Sequence, residues 1–184
     1  MDQVIEKFNL RRIDRSEVEM LRNYDAHKVI KYLGIPAWKV PVIGKHAAEL
    51  LTREIHRLTL FEGVEQVLQN LSERGVQLAI VTSNSYKNVR SILGPETAAL
   101  IQYYECGVPI FGKQSKLKRV LKKSGIAAAD TLCIGDEIRD IHAARKLKIP
   151  FGAVAWGYTN EDALRACSPN ELFRSVTEIE EIAS

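Results

Sequence analysis

The sequence predicts an α/β fold built on a parallel, Rossmann-like sheet, and three observations carry that prediction. From Phe61 onward, short apolar runs alternate with amphipathic stretches, the pattern of strands joined by right-handed helical crossovers. One run, VQLAIVTSN (76–84), is rich in β-branched residues and ends in small hydroxyl and amide side chains. Another, TLCIGDEIRD (131–140), ends in Gly-Asp-Glu just before a helical pattern. Both endings fall where a strand meets a helix, which is where open α/β sheets bind ligands.

The first 58 residues lack this alternation and read as helical throughout. Residues 1–10, MDQVIEKFNL, put Val4, Ile5 and Phe8 on one side of a helix. Ser16 and Glu19 have capping-box spacing for a helix through Arg22, and Asp25 caps another that Gly34 ends. Pro36 and Pro41 bracket a turn before an amphipathic stretch over 42–58. The chain therefore divides into a small helical module, 1–58, and an α/β core, 59–184.

Within the core, strands are predicted near 77–82, 101–106, 131–135 and 151–156, each apolar enough to be buried on both faces. Helices fill the intervals at 62–74, 86–92, 114–124, 137–147 and 160–167. In the helix after Gly-Asp-Glu, Ile138, Ile141, Ala144 and Leu147 recur at helical spacing and should face the sheet. His142 falls between them and has no second histidine at metal-ligand spacing, so it reads as an ordinary helix residue.

The chemistry-bearing residues cluster at the strand ends. Asp136 and Asp140 are four apart, so one helical turn would bring both carboxylates to one face, beside Glu137, to serve one cation or one lysine. The same acids also suit the positive end of a helix dipole. Thr82 and Ser83 can donate hydrogen bonds to an oxyanion, while Ser85 and Asn84 also suit a helix cap. Lys113 opens a helix and can neutralise a phosphate or a carboxylate cluster as a point charge. The other cations of that helix, Lys116, Lys118, Arg119, Lys122 and Lys123, read as a solvated face.

Hydroxyl-tipped strand, lysine, then acid-tipped strand, in that order, resembles motifs two, three and four of the haloacid dehalogenase (HAD) superfamily, in its phosphoglycolate-phosphatase-like branch. LAIVTSNS resembles the second motif, Lys113 with its helix the third and GDEIRD the fourth; FGAVAWGYTNEDAL also resembles that branch. The resemblance implies a HAD-like core with a small helical cap, Mg²⁺ as cofactor and a small phosphorylated metabolite as substrate. It implies catalytic roles for Thr82, Lys113, Asp136 and Asp140, and phosphate contacts from Thr82, Ser83, Asn84 and Lys113. Asp136, Glu137 and Asp140 would be the metal set. Arg22 stands in a position resembling the cap's substrate loop; Tyr24, Lys28 and Trp38 are further cap candidates, although Trp38, between two prolines, is expected to pack rather than bind.

One part of the family pattern is missing. Members carry a DxDGT motif at the tip of the central first strand, and its leading aspartate is the nucleophile. No acid before residue 60 follows a strand-like run or sits in a DxD. The chain reads as starting roughly two dozen residues late, the length of one strand and the first turns of the next helix. Covalent catalysis needs that nucleophile, so no turnover is expected from these residues alone, and the reading as a non-catalytic phosphate-binding or regulatory protein stays open. Loss of a central strand leaves two edges that must pair directly, recruit another chain or stay exposed, so self-association is expected.

Composition narrows the remaining classes. A formal charge of +3 with 46% apolar residues calls for neither disorder nor a nucleic-acid partner. Cys106, Cys133 and Cys167 lack metal-ligand spacing and read as reduced thiols, Cys106 and Cys133 within strands, in a cytoplasmic protein. No apolar run reaches membrane-spanning length, so no membrane partner is expected. GVPIFGK (107–113) has P-loop glycine and lysine spacing, but Gln114 stands where a P-loop needs Ser or Thr and Pro109 removes a backbone N–H.

Overall fold

The computed structural model describes residues 2–107 and 112–183. Four helices come first: α1 (Asp2–Phe8), α2 (Arg15–Leu21), α3 (Ala26–Tyr32) and α4 (Val40–Arg53). The capping box of α2 is made by Asp14 and Glu17, not Ser16 and Glu19: the Asp14 carboxylate accepts from Glu17 N, and the Glu17 carboxylate accepts from Asp14 N. Ser16 instead donates its hydroxyl to Asp14, a carboxylate being the stronger acceptor at that cap. Asp25 caps α3 as expected, and Gly34 follows with φ +63°, a left-handed stop that a side chain would strain. Pro41 lies inside the first turn of α4 rather than before it, a position where its missing N–H costs nothing.

Strands and helices then alternate: α5 (Val64–Glu73), β1 (Leu78–Val81), α6 (Tyr86–Ala99), β2 (Ile101–Glu105), α7 (Lys113–Ser124), β3 (Cys133–Gly135), α8 (Ile138–Lys146), β4 (Phe151–Val154), α9 (Glu161–Ala166) and β5 (Glu171–Phe173). All four expected strands are present, although Cys106 lies one residue past β2. Helix α6 runs seven residues beyond the predicted 86–92, bending at Gly94 (φ +71°), where Pro95 opens its second half. The short β5 was not foreseen, since ELF is too brief to show a period.

The strands form two sheets, and neither joins the other by backbone hydrogen bonds among the described residues. β1 pairs with β2, while β4 sits between β3 and β5, all in parallel. Burial follows from that arrangement. β4 has a partner on each side and is buried at all four positions. Among the described residues β1 and β3 each have one partner, and Ala79 and Ile134 are exposed, against the expectation of burial on both faces. Each sheet has its own apolar cluster: Val67, Leu71, Leu78, Leu93 and Ile101 around the first, Leu117, Ile141, Ala144, Phe151 and Leu164 around the second.

Helix α7 ties the halves together. It packs against β1, β2 and α8, and Val81 of β1 reaches the second cluster. Its cations are not all solvated: Lys116, Arg119 and Lys123 converge on Glu105, at 3.2, 3.6 and 2.7 Å. Glu105 is only 4% exposed, and a buried carboxylate without cations would be costly. Among the described residues, no helix is long and apolar enough to cross a membrane.

Candidate active site

The residues singled out by the sequence lie just past the ends of β1 and β3 and at the start of α7, and of these Lys113 and Asp140 meet directly. Thr82 follows β1, and its N–H continues the ladder by donating to the Glu105 carbonyl at 3.1 Å. Its hydroxyl oxygen accepts from Asn84 N at 3.1 Å, which leaves the hydroxyl proton available to an incoming oxyanion. Ser83 is exposed at the turn. Asn84 is structural in part: its side-chain oxygen accepts from Ser85 N and from Asn88 Nδ2, both at 2.9 Å. Ser85 caps α6 by accepting from Asn88 N.

Lys113, the first residue of α7, places its ammonium 2.6 Å from Asp140 Oδ2. Asp140 lies in α8 and is 2% exposed. Gly135 makes room for this pair, since a Cβ there would stand 2.8 Å from Asp140 Oδ2. The second oxygen, Asp140 Oδ1, is buried with no hydrogen-bond partner, and Arg139 Nε stands 3.9 Å away, beyond hydrogen-bonding distance. A buried carboxylate oxygen left in this state is a natural acceptor for a cation or a protonated ligand.

Asp136 and Asp140 are not on one helical turn as expected. Helix α8 begins at Ile138, Glu137 is its N-cap residue in extended conformation, and Asp136 belongs to the turn before it. Asp136 is held instead by the segment after β4: its Oδ2 accepts from Tyr158 N at 2.7 Å and its carbonyl accepts from Thr159 N at 3.1 Å. Gly157 allows this approach, because a Cβ there would come within 2.1 Å of Asp136 Cβ. Glu137 points to Arg139, Oε1 to Nη2 at 2.7 Å. No group of three His, Cys, Asp or Glu poised for a metal occurs among the described residues. Two carboxylates with spare oxygens still suit Mg²⁺, which commonly keeps several waters and takes only one or two protein carboxylates.

Arg22, the residue that ends α2, reaches the segment that holds Asp136. Its Nε donates to the Tyr158 carbonyl at 2.8 Å and Nη2 to the Gly157 carbonyl at 3.2 Å, while Nη1 lies 3.3 Å from Glu19 Oε1. The other cap candidates stay apart: Lys28 lies over the Tyr24 ring, and Trp38, rather than packing, is 72% exposed beneath Lys39. Residues 108–111, most of the P-loop-like GVPIFGK, lie outside the described residues.

Sequence reading missed Asn88, Gly157, Tyr158 and Thr159. Asn88, 2% exposed, joins the Thr52 hydroxyl in α4 to Asn84 through its Nδ2, 2.9 Å from each. The 157–159 segment lies within FGAVAWGYTNEDAL, which resembles the family, but the role of its glycine becomes readable only once Asp136 is known to lie against it. His142 is exposed, as expected. The three cysteines are free thiols; burial pushes the Cys133 thiol up to about 12, which removes it as a nucleophile near neutral pH.

Comparison with known proteins agrees with this architecture. The sequence profile of the family described as Haloacid dehalogenase-like hydrolase matches residues 1–154. A phosphoglycolate phosphatase of Synechococcus elongatus is 27% identical over 168 residues, covering 91% of this chain and 79% of its own length. One from Xanthomonas campestris is 33% identical over 107 residues, 54% of this chain and 47% of that protein. Among solved structures, a predicted phosphatase from Clostridium acetobutylicum superposes with a TM-score of 0.79 at 19% identity, covering 97% of this chain and 86% of that one. CbbY from Rhodobacter sphaeroides, in complex with phosphate, superposes with a TM-score of 0.69 at 14% identity, covering 96% and 85%.

Proposed function

Because this chain belongs to the haloacid dehalogenase-like hydrolase family, we propose that it forms the body of a Mg²⁺-dependent phosphatase for a small phosphate ester of the phosphoglycolate kind. The observation that carries this reading is the ion pair between half-buried Lys113 and buried Asp140, 2.6 Å apart. Thr82 donates its free hydroxyl proton to a phosphate oxygen, with Ser83 and Asn84 forming the rest of the turn around it. Lys113 has three donors, so Asp140 leaves two for phosphate. Asp136 and Asp140, with Glu137 beside them, would hold Mg²⁺, and the bound ion would neutralise phosphate charge. Residues 1–58 act as the cap and 59–184 as the core.

The family's phosphoryl transfer runs through a strand-tip aspartate, and these 184 residues contain no DxDGT. The edges of β1 and β3 that have no partner among the described residues support a place between them for the strand that would carry it. Without that strand the chain binds phosphate and metal but does not turn over, and its edges favour self-association.

The experiment is a paired assay on the 184-residue chain: Mg²⁺-dependent phosphate release from phosphoglycolate and other small esters, and inorganic phosphate binding followed by ³¹P line broadening. No release above background is expected, with phosphate binding weakened about tenfold or more in Thr82→Ala and Lys113→Ala. Mg²⁺-dependent hydrolysis abolished by Asp136→Asn would overturn the inactivity and keep the phosphatase. Absence of phosphate binding in the presence of Mg²⁺ would overturn the site itself.

A further inference from the structure

One peptide group stands between the N-terminal helices and the acid of the candidate site. The carbonyl of Gly157 accepts from Arg22 Nη2 at 3.2 Å, and the N–H of the same peptide, that of Tyr158, donates to Asp136 Oδ2 at 2.7 Å. The next carbonyl, Tyr158 O, accepts from Arg22 Nε at 2.8 Å, so a single guanidinium grips two consecutive carbonyls. Glu19, one turn earlier in α2, steadies the guanidinium from behind through Nη1.

The contact is reinforced on the far side. Asn160 N donates to the Arg22 carbonyl at 3.3 Å, and Asn160 Nδ2 lies within hydrogen-bonding distance of Glu19 O and Asn23 Oδ1, at 3.3 and 3.2 Å. Thr159, between these anchors, is 1% exposed and donates its N–H to the Asp136 carbonyl. The segment 157–160 is thus bonded to the end of α2 on one side and to Asp136 on the other.

We infer that Arg22 is a positioning residue for Asp136, acting through the Gly157–Tyr158 peptide and coupling the seating of the N-terminal helices to the orientation of that carboxylate. A cation on the carbonyl polarises the amide and strengthens the hydrogen bond its N–H donates, since hydrogen bonds in series reinforce one another. When α2 is seated, Asp136 Oδ2 is committed to Tyr158 N and its other oxygen has a fixed direction. When α2 lifts, the peptide loses both guanidinium bonds and the carboxylate is free to turn. The inference rests on the reading of Asp136 as a site carboxylate for its functional meaning, but the coupling is a property of this chain alone.

The test is amide exchange and chemical shift at Tyr158, read by ¹⁵N NMR on the full 184-residue chain, with Mn²⁺ as a paramagnetic probe. Arg22→Ala and Asp136→Ala should each speed Tyr158 exchange about tenfold and move its proton upfield, the size expected for one charged hydrogen bond. The β4 amides should keep their wild-type rates. The double variant should exchange no faster than the faster single, because both act on one peptide. Arg22→Lys, which retains the stem and charge but cannot fork across two carbonyls, should fall between wild type and Arg22→Ala, and it replaces the alanine variant if that does not fold.

Wild-type exchange at Tyr158 in Arg22→Ala, or multiplicative effects in the double variant, overturns the coupling. If wild type binds Mn²⁺, Arg22→Ala should bind it more weakly, and equal affinity overturns the claim that Arg22 sets the carboxylate. A wild type that shows no Mn²⁺ broadening removes the metal reading of the site, and the amide data then decide the coupling by themselves.

Discussion

The two sheets of this molecule are built from similar apolar runs but end in different states. In the β3–β4–β5 sheet the middle strand has partners on both sides: Phe151 and Ala153 are 2% and 0% exposed. In the β1–β2 sheet neither strand is central, and Ala79 is exposed even though the run LAIV is as apolar as FGAV. β3 resembles β1 at its outer edge, with Ile134 39% exposed. Apolar content thus fixes where strands form, whereas burial on both faces and edges depends on having two neighbours. Thr82 and Asp136 follow β1 and β3, each of which has one strand partner among the described residues.

That contrast can be broken or sharpened by substitution. Phe151→Ala, in the enclosed strand, should cost about 3–5 kcal/mol by denaturant unfolding, the range for removing a buried ring. Gly135→Ala should cost about 1–3 kcal/mol, because the added methyl meets Asp140 Oδ2, itself pinned by Lys113, and the Phe151 ring at 3.3 Å. A neutral result there would mean that the ion pair has slack.

Glu105 probes the other half. Lys123 above all, then Lys116, hold its carboxyl below the usual range against the opposing effect of burial. A depressed folded pKa gives stability that is fully present above the unfolded value of 4.5 and is lost as pH falls through the lowered folded value. Glu105→Gln should therefore cost about 1–3 kcal/mol at pH 7 and much less in acid below both values. An equal cost at both pH values would show that shape rather than charge holds α7 on β2.

The smallest effect belongs to the open edge. Ile134→Thr should change stability by no more than about 0.5 kcal/mol in dilute monomer, as at ordinary surface sites. A cost approaching that of Phe151→Ala would mean that this edge is covered in solution. Sedimentation at rising concentration then tells whether a second copy covers it, with Ile134→Lys expected to reverse the association.

Much of the fold was legible because it rests on local patterns. The four strands, the helices between them, the Asp25 cap and the left-handed Gly34 follow from apolar period, cap chemistry and glycine's tolerance of positive φ, all properties of neighbouring residues. The order of the candidate residues was legible for the same reason: hydroxyls after β1, lysine at the start of α7 and acids after β3 are adjacent to the elements that present them. The α2 cap was misplaced by two residues: Ser16 and Glu19 have capping-box spacing, but in the folded backbone Asp14 and Glu17 make the box.

What the tertiary structure decided was which of these groups meet. The spacing of Asp136 and Asp140 suggested one shared helical face, yet the helix starts between them, so Asp136 is bound by Tyr158 N and Asp140 by Lys113. Three lysines and arginines that looked solvated converge on Glu105, and Arg22 grips carbonyls more than 130 residues away in sequence. Such long-range pairings depend on the distances between packed elements, which no local pattern encodes. The sequence alone determined the elements and the chemistry at their ends; packing determined the partners, because a buried charge takes whichever counter-charge or peptide the fold brings within reach.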